Sequence, residues 1–439
     1  MNVKAATSPV VMSIDTSSAL YRKIMLRFVP LIMICYVVAY LDRVNIGIAK
    51  LNMLSDLHFS ETAYGLGAGL FFIGYLIFEV PSNLIMHRVG ARLWIARIMV
   101  SWGVISAMMV FVTQPWQFYS LRFLLGIAEA GFYPGVILYL TYWFPNSRRG
   151  KVTAIFQSGV PVAGLIGSPL SGWIMVSFDK VWGYAGWQWM FVLESLPTLP
   201  LAIFVILILD DRVDDATWLT QDERNTVKRD LAADNVAREH VPLRALITDV
   251  RIWKIIIAGL PAMAGIYTLG FYMPTIIKDA GASSSTEVGL LSAIPYVAAV
   301  VAMILVGRSS DLRQEHRWHL AFVLTLGAAG LVASVFAGQQ MPLVICALCV
   351  AAAGILSYSP IMWMVPTAFL GGATAAAAIG AINSTINIGG FLAPYLIGWV
   401  RDSYGSSAPA LFVVAGGLIL SALTILSLNP KTSTADGEA

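Results

Sequence analysis

LAFVLTLGAAGLVASVFAGQQMPLVICALCVAAAGILSYSPIMWMVPTAFLGGATAAAAIGAINSTINIGGFLAPYLIGWV runs from Leu320 to Val400, 81 consecutive residues without Asp, Glu, Lys or Arg. A membrane span takes ~20 apolar residues, so this stretch has room for four spans. Tight uncharged turns such as Gly338-Gln339-Gln340 and Gly371-Gly372 would join them. Backbone groups in lipid must be hydrogen-bonded internally, and these spans are therefore read as helices. The rest of the 439-residue chain agrees: 58% is hydrophobic, 12% charged, and mean hydropathy is +0.74. Globular domains have about 25% charged residues, so a soluble enzyme and a disordered chain are both excluded. A net charge of +3 with no basic block interleaved with aromatics leaves nothing to bind nucleic acid.

Outward from that stretch, helix-compatible apolar runs lie near 24–48, 63–86, 93–113, 115–144, 151–176 and 189–209. A second six lie near 253–277, 287–307, 318–337, 341–365, 368–400 and 408–428. The predicted fold is an all-α membrane protein with twelve transmembrane helices in two pseudo-symmetric six-helix bundles, 24–209 and 253–428. Residues 1–23 and 429–439 form cytoplasmic tails, and 210–252 a cytoplasmic linker. That linker holds the one long charged stretch, in which Thr220 and Glu223 read as a capping box opening a solvated helix. It has too few large apolar groups for a core of its own. The first twenty residues carry no charged segment leading into a short apolar stretch with a cleavage site, so the first run is expected to stay as a span. Both termini on the cytoplasmic side place 22 Lys/Arg there and four (Lys50, Lys180, Lys278, Arg401) outside, as the positive-inside rule requires.

The halves repeat. Pro169 and Pro394 are 225 apart, Trp173 and Trp399 226, Gln157 and Asn383 226, and His87 and Asp311 224. Six helices plus six in parallel repeat is a transporter plan with its site at mid-membrane between the halves. Cys346-x-x-Cys349 lies among Val344, Ile345, Ala347 and Leu348, which fits helix packing rather than a zinc or redox site. His316-x-x-His319 stands in a basic loop. No phosphate-cradling Gly-Lys loop, metal-spaced His/Glu motif or Ser/His/Asp set stands out. Neither an enzyme nor a cofactor or metal is expected.

Five motifs carry a resemblance over essentially the whole chain. The loop Gly307-Arg308-Ser309-Ser310-Asp311-Leu312-Arg313, with its counterpart at 83–92, and the sixfold halves resemble the major facilitator superfamily. Within it, Tyr40-Leu41-Asp42-Arg43-Val44-Asn45-Ile46-Gly47 and the run from Arg122 through Glu129 to Gly135 resemble the anion:cation symporter family. Gly74 to Asn83 and Tyr142-Trp143-Phe144-Pro145 are similar to its bacterial permeases for tartrate, phthalate, 4-hydroxyphenylacetate and nicotinate-type acids. The loop between the second and third helices departs from the superfamily pattern: His87 stands where Asp is usual, and Ala91 where Arg is.

Four charges inside spans, Asp42, Arg43, Arg122 and Glu129, are the candidate chemistry. A charge at the centre of a span costs about 2.5 to 3.5 kcal/mol on insertion scales, so these need pairing or a wet cavity. At ~1.5 Å rise per residue, Asp42 falls roughly 27 Å from a helix start at Ile24, and Glu129 and Arg122 roughly 22 and 33 Å from an end at Phe144. Two pairs, Asp42 with Arg122 and Arg43 with Glu129, are the economical arrangement. Arg43, with Arg122, would receive a carboxylate, whose two oxygens match the planar guanidinium fork. Asp42 or Glu129 would take the proton once its arginine turns to substrate. The resemblance implies the same roles. The alternative is that all four only staple the first and fourth helices together.

Gln157 and Asn383, with Asn387 one turn on, could bond substrate from opposite halves or pack helices. Tyr40, Tyr75, Tyr267, Tyr272, Ser359 and Trp363 are further lining candidates. Arg88, Arg92 and Asp311 are gating candidates, Glu79 and Arg97 structural or gating ones, and Glu194 has no assigned role. The expected protein is a proton-coupled importer of a small aromatic or hydroxylated carboxylate. It would be a monomer in a bacterial inner membrane, its partners the anion, protons and lipid. Proton-exchange export and a non-transporting receptor are the alternatives.

Overall fold

The computed structural model describes residues 14–236, 249–367 and 380–428. Within them every regular element is a helix. Eleven helices are long and apolar enough to span a membrane: Ser18–Leu57, Glu61–Val89, Ala91–Phe111, Pro115–Thr141, Asn146–Ser177, Gly186–Ile208, Val250–Asp279, Ser285–Arg313, Arg317–Phe336, Met341–Met362 and Ala408–Leu426. Gly389–Tyr404, with helical residues 380–386 before it, occupies the remaining place in the order; it is called the eleventh span below, and Ala408–Leu426 the twelfth. The expected run 368–400 and the Gly371-Gly372 turn fall partly or wholly outside the described residues.

Helix starts are set by side-chain caps that repeat. Ser60 Oγ accepts the Ala63 amide at 3.0 Å at the start of the second span, and Ser284 Oγ the Glu287 amide at 3.2 Å at the start of the eighth. The two serines are 224 positions apart, the spacing of His87 and Asp311. In the linker, Thr220 Oγ1 accepts the Glu223 amide at 3.2 Å and Glu223 returns a bond to the Thr220 amide at 2.8 Å, the predicted capping box. It opens helix Gln221–Val236, which docks on the first span through Lys23 to Glu223 and Tyr21 to Asp230.

Two elements differ from the apolar runs. The first span reaches Leu57 rather than stopping near 48: its last segment, Ile46–Leu57, stays helical although it carries Lys50, Asn52, Ser55 and Asp56, and it buries Lys50 together with Ile46 to Ala49 and Met53. Asp42 therefore lies nearer mid-membrane than a run of 24–48 implies. The fourth span is broken between Glu129 and Phe132: Ala130 is extended (φ −54°, ψ 129°) and Gly131 left-handed (φ 88°).

The halves meet where backbones touch. A Cβ on Gly172 would lie 2.4 Å from the Ser285 carbonyl, and one on Gly289 2.3 Å from that of Ser168, so the fifth and eighth spans press together without side chains between them. Gly65 against Pro394 and Gly398 against Glu61 do the same for the second and eleventh. Lipid gives helices no hydrophobic drive to associate, so close packing over small residues supplies the adhesion.

Gly131→Ala should be costly. The left-handed backbone costs an L-residue ~1 to 2 kcal/mol, and the added carbon would fall 2.2 Å from Ser82 Oγ. Thermal unfolding in detergent should show a lowered midpoint, whereas Gly150→Ala, whose Cβ meets nothing within 4 Å, should not move it.

Candidate functional site

The break in the fourth span is where the charge is. Glu129 is its last residue before the break, 2% exposed, and forms a salt bridge with Arg43 of the first span. Arg43 also donates from Nη1 to Tyr267 Oη of the seventh span at 3.2 Å. Its guanidinium lies 5.0 Å from the Phe71 ring centre and 5.5 Å from that of Tyr75. Arg122 lies 5.2 Å from the same Phe71 ring, so two guanidiniums share one aromatic side chain. Such contacts stabilise a cation by about 2 kcal/mol when desolvated.

One expected pair is not formed. Asp42 is not bonded to Arg122; it accepts from Trp102 Nε1 at 3.1 Å, Ser106 Oγ at 3.0 Å and Asn45 Nδ2 at 3.4 Å. The third span, which carries Trp102 and Ser106, stands next to this part of the first and reaches Asp42 first. Arg122, fully buried, donates only Nη2 to the Ala68 carbonyl at 3.5 Å, and its Nε and Nη1 have no hydrogen-bond partner. A buried guanidinium with unmet donors is costly unless something else meets them.

The other candidates are dispersed. Tyr40 is buried against Tyr36, ring centres 6.4 Å apart. Gln157 donates to Tyr133 Oη at 2.9 Å and keeps a buried, unpartnered Oε1. Asn383 donates to Glu79 Oε1 at 2.9 Å, and Ser384 Oγ to Glu79 Oε2 at 2.6 Å, so the second and eleventh spans are tied toward their inner ends. Asn387 turns back onto the Asn383 carbonyl. Ser359 and Trp363 are half-buried on and just after the tenth span. Tyr272 Oη donates to the Pro394 carbonyl at 2.9 Å, a packing contact. Arg97 stacks on Trp94 at 3.9 Å, its head toward the exterior. Arg88, Arg92 and Asp311 form no ion pair among the described residues. The third span's first turn is instead held by Asp211, which accepts the Arg92 amide at 2.8 Å.

The sequence reading missed a charged network at the outer end. Glu61 bridges Lys50 at 2.6 Å and Arg401 at 2.9 Å, while Arg401 forks onto Asp279 at 2.5 and 3.0 Å. Lys50 also donates to Thr275 Oγ1 at 3.2 Å. Asp402 accepts the amides of Glu61 and Thr62 at 3.0 and 2.7 Å, an anion on a helix N-terminus. The four bridged residues come from the first, second, seventh and eleventh spans, so both halves are closed on each other at this face. The available signal was four charges at predicted helix ends, each unremarkable alone.

Membrane-spanning helices in two pseudo-equivalent halves with buried charge where they meet follow a transporter plan. The family model of the Major Facilitator Superfamily matches residues 32–394, and the chain belongs to that superfamily. It is 46% identical to metabolite transport protein NicT of Pseudomonas putida over 417 residues, covering 94% of this chain and 95% of that protein. It is likewise 46% identical over 428 residues, 97% and 98% of the two chains, to a protein named as a tartrate transporter in Agrobacterium vitis. The fold matches an inward-facing bacterial homologue of the lysosomal transporter Spinster, with a TM-score of 0.69, 14% identity and 92% and 95% of the chains covered.

Glu61→Gln should weaken the outer closure, since it removes the anion between two cations. In a cysteine-free background carrying Thr275→Cys, a membrane-impermeant thiol reagent should react several-fold faster once Glu61→Gln is added; an equal rate would show that the network does not hold this face shut.

Proposed function

We propose that the protein is a proton-coupled importer of a small organic carboxylate, working by alternating access between its two six-helix halves, 24–209 and 253–428, in a bacterial inner membrane with both termini in the cytoplasm. The observation that carries this is Arg122: wholly buried, two of its three nitrogens unpartnered, on the same Phe71 ring as the Arg43–Glu129 pair. A carboxylate between the two guanidiniums meets the free donors of Arg122 and competes with Glu129 for Arg43. As Arg43 turns to the guest, Glu129 is left without its counter-ion in a dry interior and takes a proton. Anion and proton then bind together, and the cluster stays near neutral as the halves rock. Tyr267 and Tyr75, already on Arg43, line the remaining wall with neutral groups. The names borne by the relatives point to hydroxylated or nicotinate-type acids as the substrate class.

The buried pair also resists the purely structural reading. A staple between the first and fourth spans needs one complete ion pair, and that pair is present; it does not need a second arginine left half-satisfied beside it.

Arg43→Ala and Arg122→Gln should each weaken tartrate or nicotinate binding by ~2 to 5 kcal/mol, roughly 30-fold or more, read by thermal shift of the purified protein with ligand. Unchanged affinity in both variants would remove them from the site. In proteoliposomes, an inward proton gradient should drive labelled acid inward; accumulation under the opposite gradient would establish exchange export instead. Glu129→Gln should keep anion exchange at equilibrium and lose gradient-driven accumulation.

A further inference from the structure

Glu194 is a buried carboxyl group that this mechanism leaves unused. It is 3% exposed in the sixth span, and every hydrogen bond it receives comes from a neutral group: Ser171 Oγ of the fifth span to Oε1 at 2.6 Å, and Asn45 Nδ2 of the first span to Oε2 at 2.9 Å. The same Asn45 nitrogen donates to Asp42 Oδ1 at 3.4 Å. One amide thus directs its two hydrogens at two carboxyl groups. The remaining partners of Asp42, Trp102 and Ser106 of the third span, are neutral as well. Of the charged groups in this region, Arg43 is bonded to Glu129, and Arg122 makes no hydrogen bond to Asp42 or Glu194.

A second observation lies on the other side of Asn45. Its Oδ1 is buried with no donor, and Asn45 and Ser171 line a cavity of about 10 Å³ together with Ser168, Tyr296 and Leu41. That is close to the room one water needs. A water there can donate to Asn45 Oδ1 and meet Ser171 Oγ, which is already bonded to Glu194.

We propose that Glu194 is a second proton-carrying group, joined to Asp42 through Asn45, and that the transporter moves one more proton per anion than the Arg43–Glu129 exchange alone provides. Two carboxylates held by one amide in a dry interior, with no cation bonded to either, do not both remain charged. The shared proton belongs to the pair. A metal ion fits less well, because Ser171, Ser106, Trp102 and Asn45 already point hydrogens at the oxygens a cation would occupy. The proton reaches Glu194 from the cavity through Ser171, and the Asn45 amide shared with Asp42 makes the charge on one carboxyl group felt by the other, one residue from the arginine that takes the anion.

This assignment deepens the symport reading and rests on it, so the test separates the two. In proteoliposomes held at zero membrane potential, proton uptake read by an entrapped pH indicator, divided by uptake of labelled tartrate, gives the proton-to-anion ratio. Glu194→Gln should lower that ratio by one, with tartrate affinity within about two-fold of the unaltered protein. An unchanged ratio overturns the role of Glu194 while leaving symport standing; tartrate uptake without proton uptake in the unaltered protein overturns symport and this assignment with it. Carbodiimide labelling requires neither a substrate nor a variant that folds, because it modifies carboxyls that carry a proton in apolar surroundings. An adduct on Glu194 that declines as pH rises is expected; no adduct on Glu194 at acidic or neutral pH overturns the proposal.

Discussion

The ion pair between Arg43 and Glu129 is the constraint around which the rest is arranged. It joins the first span to the fourth at a depth where neither partner can be left alone: removing one side of a buried pair typically costs 3 to 5 kcal/mol. The fourth span ends a helix at Glu129, turns through the left-handed Gly131 and resumes at Phe132, so the carboxylate stands at an interruption of the backbone rather than along a smooth rod. Asp42, one residue from Arg43, is held separately by the third span through Trp102 and Ser106. The two neighbours on the first span therefore answer to different helices, Arg43 to the fourth and Asp42 to the third.

Much of this was legible in the sequence because lipid makes composition speak loudly. An 81-residue stretch without a charge has few folds open to it, and the twelvefold order, the repeat and the four buried charges follow from counting. The capping box at Thr220 and Glu223 was legible for the same reason: it is local, and three residues set its geometry. Partner choice was legible for Arg43 and Glu129, which pair as expected, and not for Asp42. Seven-residue spacing puts Arg122 and Glu129 on one face of the fourth span but says nothing of what the third span presents to the first, so Asp42 was matched to the charge nearest in reasoning rather than to the indole nearest in space. The break at Ala130–Gly131 was hidden because a glycine in an apolar run reads equally as packing. The outer network was hidden because Glu61, Asp279 and Arg401 are far apart in sequence and ordinary at helix ends.

The two halves divide the work unequally. Buried charge is concentrated in the first, while the second contributes Tyr267 to Arg43 and the amide and hydroxyl of Asn383 and Ser384 to Glu79. The seams between them run on glycine against backbone, at Gly172 and Gly289 and at Gly65 and Gly398. Between those backbone contacts side chains cross the same seams: the Tyr296 ring lies against Gly164, Phe391 against Gly69 and the Phe72 ring against Gly390. Polar contacts close the seams at their ends: the Lys50–Glu61–Arg401–Asp279 chain at one and the Glu79 bonds toward the other.

Those end contacts connect back to the centre through the second span. Phe71, Tyr75 and Glu79 follow one another at four-residue steps, so they share a face of that helix. Phe71 carries both guanidiniums, Tyr75 faces Arg43, and Glu79 holds the eleventh span. A change at Arg43 is therefore felt first by aromatic rings on the helix whose other end fastens the halves together. With Tyr267 adding a direct bond from Arg43 to the opposite half, a guest that draws the guanidinium away from Glu129 also alters a contact across the seam. Arg43 thus touches its own half through Glu129 and the opposite half through Tyr267, and two turns of the second span separate the ring beside it from the Glu79 contact with the eleventh.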